Sequence, residues 1–215
     1  MQPIILYSHQ QGPNPWKVAL ILEELGLPYE TKFVNFTDVK KEPYVSLNPN
    51  GRLPAIVDPN TDMKLWESGA IVNYLIEQYD QAERKISYAD LQQKNQLLQW
   101  LFFQVSGQAP YYGQASWFSR FHPEKLQSAI DRYVGEIHRV NGVLEKVLSS
   151  REWLVGDKCT YADLSFLAWQ RWAPRYAGED IYEKFPKVAA WVKRMEVRST
   201  VQKVYNDQDK AIAEM

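Results

Sequence analysis

The pattern of hydrophobic residues changes in character near residue 80, and this change constrains the fold more than any other feature of the sequence. Before it, β-prone runs alternate with helical periodicity, beginning with IILYS (4–8) and PWKVALILEELGL (15–27). After it the periodicity is helical throughout, as in residues 123–150, where apolar residues recur every three or four positions. A polar stretch, DQAERKIS (80–87), separates the two parts. Such a chain is expected to build a small α/β layer followed by a helical bundle.

The residues before the change predict the element order β-α-β-α-β-β-α, with a short helix or a loop between the second and third strands. Alternating or β-prone runs mark the second to fourth strands: YETKFVNF (29–36), LPAIVD (53–58) and MKLW (63–66). A helical pattern follows in ESGAIVNYLIEQY (67–79). We therefore expect a mixed α/β domain over residues 1–81 and an all-α domain over residues 89–215.

Charge and cysteine content exclude several classes of function. Lys and Arg number 25 and Asp and Glu 26, so the net charge of −1 offers no general attraction to nucleic acid or to an anionic membrane. The single cysteine excludes an intrachain disulfide, and no Cys/His pair has the spacing of zinc ligands. The start of the chain lacks signal-peptide features, and no apolar run is long enough to span a membrane. We therefore expect a cytoplasmic protein with no metal site, no nucleic-acid partner and no membrane partner.

The first strand is joined to the first helix through GPNP (12–15), in which an asparagine stands between two prolines. Proline is favoured at the first helical position, because its missing N–H has no helical partner there. This predicts Pro15 as the first helical residue and Asn14 as the N-cap. For His9, earlier in the same loop, we favour a position facing solvent.

Two segments after the first helix place polar groups beside strand and helix termini. NPNGRLPAIVD (48–58) puts a proline at the start of a strand after a glycine-containing loop, and LWESGAIVNYL (65–75) puts Glu67 and Ser68 at a helix N-terminus. A helix N-terminus offers free N–H groups and a partial positive charge to a carboxylate, Ser68 adds a hydroxyl, and Glu67 can pair with an ammonium group. The alternative is plain helix capping.

A fourth segment, WLVGDKCTYADLSF (153–166), has the pattern of a capping box. Thr160 is expected as the N-cap, with Asp163 three residues later. A reactive thiol at Cys159 is the alternative, since a helix N-terminus can lower the pKa of a cysteine. We assign this segment to folding.

Taken together, these segments resemble the cytosolic glutathione transferases, and among them the fungal nitrogen-regulator (prion)-like branch and its catalytic relatives. The resemblance covers nearly the whole chain and rests on five ordered motifs: SHQQGPNPWKV (8–18), NPNGRLPA (48–55), WESGAI (66–71), WLFFQVSGQAPYYGQA (100–115) and WLVGDKCTYADL (153–164). It implies a thioredoxin-like first domain that binds glutathione and an all-helical second domain that holds a second-substrate pocket.

The resemblance also implies a set of glutathione-binding residues. Leu53, ahead of a cis Pro54, is expected to pair through its backbone with the cysteinyl part of glutathione, and Glu67 and Ser68 are expected to hold its γ-glutamyl end. For the glycyl carboxylate, Lys40 and Lys41 are both candidates and the choice stays open. Arg52 is a further candidate, with a plain surface charge as the alternative.

For catalysis, the resemblance assigns Asn14 to the glutathione sulfur. An amide at the positive end of the first helix would favour the thiolate over the thiol, and Ser8 is a second possible donor. Whether the Asn14 side chain caps the helix or contacts the sulfur stays open. Tyr111, Tyr112 and Trp117 are candidates for the apolar second-substrate pocket.

The function implied is a glutathione transferase with glutathione as co-substrate and no metal, acting in detoxification or oxidative stress. Conjugation to a small hydrophobic electrophile and reduction of a disulfide or peroxide both remain open. The alternative is a non-catalytic regulatory protein that binds glutathione or another ligand. The resemblance further implies a homodimer.

Overall fold

The strand β1 (Ile4–Ser8) is a central strand of a four-stranded mixed sheet in the computed structural model, which describes residues 1–215. β2 (Tyr29–Phe33) pairs with one side of β1 in parallel orientation, and β3 (Ala55–Asp58) pairs with its other side in antiparallel orientation. β4 (Met63–Trp66) extends the sheet beyond β3, again antiparallel, so that the strand order is β2-β1-β3-β4. A parallel pair needs a crossover connection, and the helix predicted between the first two strands supplies it.

Three helices complete this part of the chain: α1 (Pro13–Leu25), the short α2 (Tyr44–Leu47) and α3 (Ser68–Tyr79). α1 and α3 pack against each other and against strands of the sheet. The predicted order β-α-β-α-β-β-α and the thioredoxin-like fold are confirmed.

α1 begins earlier than the sequence predicted. Pro13 is its first residue and Gly12 its N-cap, so Asn14 is the second helical residue and Pro15 the third. The expectation that Asn14 caps the helix and Pro15 opens it was wrong. Pro13 and Pro15 both satisfy the preference for proline at the first helical position, and Gly12 has no side chain that could accept a capping hydrogen bond, so the sequence favoured Asn14 as the cap.

The second part of the chain is all-helical, as predicted. Its elements are α4 (Leu91–Phe103), a π-helical turn (Gln104–Gln108), α5 (Ala109–Arg120), α6 (Gln127–Leu148), α7 (Tyr161–Gln170), α8 (Ala173–Ala177), α9 (Ile181–Lys184) and α10 (Pro186–Glu196). None of the helices of the chain is both long enough and apolar enough to cross a membrane.

The capping box at the start of α7 is present and extends into the core. Asp163 Oδ2 accepts from the backbone N–H of Thr160 at 2.9 Å. The Oδ1 atom of the same carboxylate accepts from the Leu154 N–H at 2.9 Å and from Trp191 Nε1 at 2.9 Å. Cys159 is buried beside this motif. The motif therefore joins the start of α7 to two other segments, which fits the folding role that we expected for it.

Contacts divide the chain into two compact units, residues 1–89 with 196–215 and residues 90–195. We expected the whole stretch from residue 89 onward in the all-α domain, but the last helix, α11 (Ser199–Ala213), belongs to the first unit and packs on α1. Its helical periodicity gave no indication of its packing partner.

A buried carboxylate joins α11 to α1. The Glu24 side chain is 1% exposed and accepts two hydrogen bonds from Arg198, at 2.7 and 2.6 Å, and one from the Thr200 hydroxyl. Burial alone would raise the pKa of Glu24, but these hydrogen bonds outweigh it and hold the pKa below its usual value.

We expect Glu24→Gln to lower the free energy of unfolding at pH 7 by about 1–2 kcal/mol, because it weakens charge-assisted hydrogen bonds at a buried site. A lowered carboxyl pKa stabilises the folded state above the unfolded-state value of about 4.3, so the difference between wild type and variant should shrink below that pH. Urea unfolding at several pH values measures both effects. Asp38→Asn, which removes an exposed ion pair with Lys41, is the control and should leave stability unchanged. Equal effects of the two substitutions would contradict this account.

Candidate functional site

The register of the sheet brings the predicted site residues to one edge, the one at which β1 ends, β3 begins and β4 ends. Tyr7 in β1 pairs with Ala55 in β3, and Ala55 pairs with Trp66 in β4. The residues that follow Tyr7, precede Ala55 and follow Trp66 therefore all leave the sheet at the same end. These are the loop into α1, the Leu53–Pro54 bond and the start of α3, three segments that the sequence analysis had singled out separately.

The loop between β1 and α1 is held by its own backbone and by one indole. Trp16 Nε1 in α1 donates to the carbonyl oxygens of His9 at 3.1 Å and Gln10 at 2.8 Å. Ser8 is buried at the end of β1, and its carbonyl accepts from the Val34 N–H at 2.9 Å. The loop is thus held by Trp16 on its α1 side and by Val34, which follows β2, at its β1 side.

His9 does not face solvent, contrary to our expectation. Its side chain is 5% exposed and stacks on Phe36, with ring centroids 3.8 Å apart. Nδ1 accepts from the Gln11 N–H at 3.1 Å, so in the neutral ring the proton is on Nε2. Burial lowers the pKa of His9, which favours the neutral imidazole.

Asn14 lies in the first turn of α1 and is partly buried. The first turn contains no acidic side chain, so nothing on the helix itself offsets the positive end of its dipole. Pro13 and Pro15 have no N–H, which leaves the N–H of Asn14 as the backbone donor among the first three helical residues, because the N–H of Trp16 faces the carbonyl of the N-cap Gly12. Because Gly12 is the N-cap, capping does not require the Asn14 side chain.

The Leu53–Pro54 peptide bond is cis, as predicted. The ladder with β1 starts at Ala55, so the backbone of Leu53 lies outside it. The preceding carbonyl, that of Arg52, accepts from the Tyr44 hydroxyl at 2.6 Å and from Asn48 Nδ2 at 2.7 Å. These two side chains hold the backbone immediately before Leu53 in place. A second cis bond, Glu42–Pro43, was not predicted.

Glu67 has a backbone conformation that is rare for a residue with a side chain. Its φ is +70° and its ψ 111°, and it is the N-cap residue of α3. Non-glycine residues in such regions cost free energy and concentrate at functional sites. Ser68, the first residue of α3, is buried, whereas Glu67 is exposed and its Oε1 lies 3.4 Å from Asn50 Nδ2. The helix terminus thus presents a carboxylate and, next to it, a hydroxyl and free N–H groups.

The two candidate lysines differ in their surroundings. Lys41 Nζ forms an ion pair with Asp38 at 2.8 Å, with both side chains exposed. Lys40 instead lies against Gly51, whose φ is +60°. A Cβ at that position would come within 2.9 Å of the Lys40 Cγ. The Lys40 stem therefore runs beside the segment that leads to Arg52, which is itself exposed.

A lysine that the sequence analysis missed is fully buried near this edge. Lys17 in α1 has no exposed surface, burial lowers its pKa to about 7, and the negative charge of Glu67 acts in the opposite direction. The helical spacing could have indicated it: Lys17, Leu20, Ile21 and Glu24 recur at i, i+3, i+4 and i+7, and all four are buried.

The three aromatic candidates belong to the second unit and have different environments. Tyr112 has no exposed surface, its hydroxyl accepts from Asn141 Nδ2 at 2.8 Å, and its ring packs edge-on against Trp169. Such a residue is part of the core of that unit, which does not fit the lining of an open pocket. Tyr111 is half-buried, and Trp117 is 47% exposed.

Two family models match the chain. Residues 2–77 match "Glutathione S-transferase, N-terminal domain", and residues 108–198 match "Glutathione S-transferase, C-terminal domain". Among known proteins, the glutathione S-transferase-like protein gedE of Aspergillus terreus is 50% identical over 206 residues, which span 91% of this chain and 91% of that protein.

Solved structures are similar over nearly the whole chain. The glutathione transferase URE2P6 from Phanerochaete chrysosporium, in complex with oxidized glutathione, matches with a TM-score of 0.93 and 47% identity over 98% of each chain. The nitrogen regulation fragment of the yeast prion protein Ure2p matches with a TM-score of 0.89 and 40% identity, covering 95% of this chain and 97% of that one.

We expect Glu67→Gly to have a free energy of unfolding about 1 kcal/mol higher than that of Glu67→Ala, because glycine adopts positive φ without the steric cost that a Cβ brings. Glu67→Ala is the matched control: it removes the same carboxylate but keeps the Cβ, so the difference between the two variants isolates the cost of the positive φ. Thermal and urea unfolding of the two variants measure the difference. A Gly variant no more stable than the Ala variant would show that the backbone at this position is not strained.

Proposed function

Since the chain belongs to the glutathione S-transferase family, we propose that it binds glutathione at this edge of the sheet and uses it as a co-substrate, with Asn14 stabilising the thiolate. The observation that carries the proposal is the convergence of three segments at one end of the sheet: the positive end of α1, the backbone of Leu53 and the start of α3.

The polar groups at this edge fit the two ends of glutathione. Ser68 and the free N–H groups of α3 suit the γ-glutamyl carboxylate, and Glu67 suits the ammonium group on the same carbon. The backbone of Leu53 suits a strand-like pairing with the cysteinyl residue. For the glycyl carboxylate we favour Lys40, because Lys41 is engaged with Asp38. Arg52, exposed beside Leu53, is a weaker candidate.

A free thiol is mostly protonated at neutral pH, so the site has to favour the thiolate. The Asn14 amide, a neutral donor at the positive end of α1, is proposed to supply a hydrogen bond to the sulfur. Ser8 is proposed as a second donor, although it is buried at the end of β1. Burial lowers the pKa of His9 and so disfavours a positive charge on its ring.

Two reactions are open to such a thiolate. In conjugation, its sulfur forms a bond to an electrophilic carbon and a leaving group departs with its electron pair. In disulfide reduction, the sulfur attacks one sulfur of the substrate and expels the other as a thiolate, and a second glutathione then releases the product as oxidised glutathione is formed. Similar structures hold ligands that belong to both reactions: URE2P6 was solved with oxidized glutathione, and Ure2p5 from the same organism was cocrystallized with the conjugate 1-(S-glutathionyl)-2,4-dinitrobenzene.

A regulatory function is the second candidate, favoured by the similarity to the nitrogen regulation fragment of Ure2p. It would need glutathione or ligand binding without turnover.

In the second unit, Tyr111 and Trp117 stay our candidates for contacting a hydrophobic second substrate. We also propose a homodimer, a cytoplasmic location and a role in detoxification or oxidative stress. Sedimentation analysis tests the homodimer.

We expect Asn14→Ala to lower kcat/KM by about 10- to 100-fold, the scale of one hydrogen bond to a charged group. The assays are 1-chloro-2,4-dinitrobenzene conjugation, cumene hydroperoxide reduction and hydroxyethyl disulfide reduction. Asn206→Ala, which removes an exposed amide on α11, is the control and should leave every activity unchanged. If Asn14→Ala keeps full activity in all three assays, Asn14 is not the sulfur ligand. A wild type that binds glutathione but is inert in all three favours the regulatory candidate.

We expect Lys40→Met to raise the KM for glutathione about two- to five-fold and Lys41→Met to leave it unchanged, since a partly exposed ion contact has this scale. The two variants remove the same charge at adjacent positions, so long-range electrostatics cannot separate them. Steady-state kinetics with varied glutathione measures both. The assignment of Lys40 is wrong if Lys41→Met alone raises the KM.

A further inference from the structure

Gln208 is a buried polar residue on an otherwise apolar face of α11. The buried residues of that helix recur at helical spacing, and they are Val201, Val204, Gln208 and Ala211. The Gln208 side chain is 2% exposed. An apolar side chain would suffice for packing, and a buried amide is costly unless it is hydrogen-bonded. The group that the amide binds therefore indicates why a glutamine stands at this position.

The Gln208 amide connects α11 to the loop between β1 and α1. Its Nε2 donates to the carbonyl oxygen of Gln10 at 3.3 Å, although the two residues lie 198 positions apart in the sequence. The same oxygen accepts from Trp16 Nε1 at 2.8 Å. The loop is thus hydrogen-bonded to two helices, α1 and the last helix of the chain.

α11 is itself anchored to the other end of α1. Near the end of α1, Glu24 accepts from Arg198 at 2.7 and 2.6 Å, and Glu23 forms an ion pair with Lys203. Gln208, further along α11, reaches the loop that precedes α1. The loop is therefore linked to α1 both directly, through Trp16, and indirectly, through α11. A shift of the loop relative to α1 would strain or break one of these hydrogen bonds.

We propose that Gln208 is a positioning residue for the start of α1: its amide holds the Gln10 carbonyl, and the loop fixed in this way keeps Asn14 in place for the sulfur of bound glutathione. This inference rests on the function proposed above. Three residues separate Gln10 from Asn14, and one of them is Gly12, whose backbone is intrinsically flexible. A hydrogen bond to a thiolate depends on distance and angle, so a displacement of a fraction of an ångström weakens it.

The test removes the donor of Gln208 and follows the bound thiol. Gln208→Met keeps an unbranched side chain of similar length without the N–H, and Gln202→Met, at an exposed position of the same helix, is the matched control. Ultraviolet absorbance of the thiolate, titrated with pH at saturating glutathione, gives the pKa of the bound thiol. We expect Gln208→Met to raise that pKa by about half a unit and to lower kcat/KM about three-fold at neutral pH. Gln202→Met should change neither quantity.

A purely structural role of Gln208 predicts a different result. Lost packing would lower the free energy of unfolding and leave the thiol unchanged in the folded complex, which is the species that the titration observes. The Kd of S-methylglutathione, which has no thiol, should stay within about two-fold of wild type, because its γ-glutamyl end is proposed to bind at α3. Gln208→Leu, which also lacks a donor but has a shorter side chain, provides a second measurement that does not depend on how well Gln208→Met folds.

A double variant tests whether Gln208 acts through Asn14. When Gln208→Met is combined with Asn14→Ala, kcat/KM should be no lower than in Asn14→Ala alone. The inference is overturned if the two penalties multiply, or if S-methylglutathione binding weakens as much as kcat/KM falls.

The titration separates failure of this inference from failure of the proposed function. A pKa of the bound thiol that rises in Asn14→Ala but keeps its wild-type value in both Gln208 variants overturns the inference alone. If Asn14→Ala itself leaves that pKa unchanged, the proposed role of Asn14 is refuted, and the inference is refuted with it.

Discussion

The place where α1 begins determines the chemistry available at the edge of the sheet. Gly12 ends the loop and Pro13 opens the helix, so Asn14 stands inside the first turn instead of in front of it. The flanking prolines have no N–H, and no acidic residue lies in that turn, so the positive end of α1 is presented mainly through the backbone N–H of Asn14. Trp16 is bonded back to the loop, which fixes the terminus relative to β1.

The buried polar residues of α1 hold the surroundings of this terminus. Glu24, near the end of the helix, is bonded to Arg198 and Thr200 and thereby ties α11 to the first unit. Lys17, near its beginning, is fully buried, and burial lowers its pKa to about 7. One helix thus contacts the last helix of the chain at one end and the candidate site at the other. Its polar residues lie on the face that a simple amphipathic pattern reserves for apolar ones.

Local patterns predicted the fold of both units, because alternation and helical periodicity report which faces are buried. The cis bond at Leu53–Pro54 came from the resemblance, since few X–Pro bonds are cis and nothing local marks them. What failed depends on tertiary packing: α11 lies on α1, His9 is covered by Phe36, and Tyr112 is enclosed in the core of the second unit. The prediction of the first residue of α1 failed for a different reason, because Pro13 and Pro15 both satisfy the preference for proline at the first helical position.

The central claim is that this edge of the sheet favours the thiolate of bound glutathione without a cysteine of the protein. The most direct measurement is the ultraviolet absorbance of the thiolate in the wild-type complex, titrated with pH at saturating glutathione. The account predicts a pKa of the bound thiol at least about one unit below the free-thiol value of about 8.5. A bound thiol that titrates at or above the free value would contradict it.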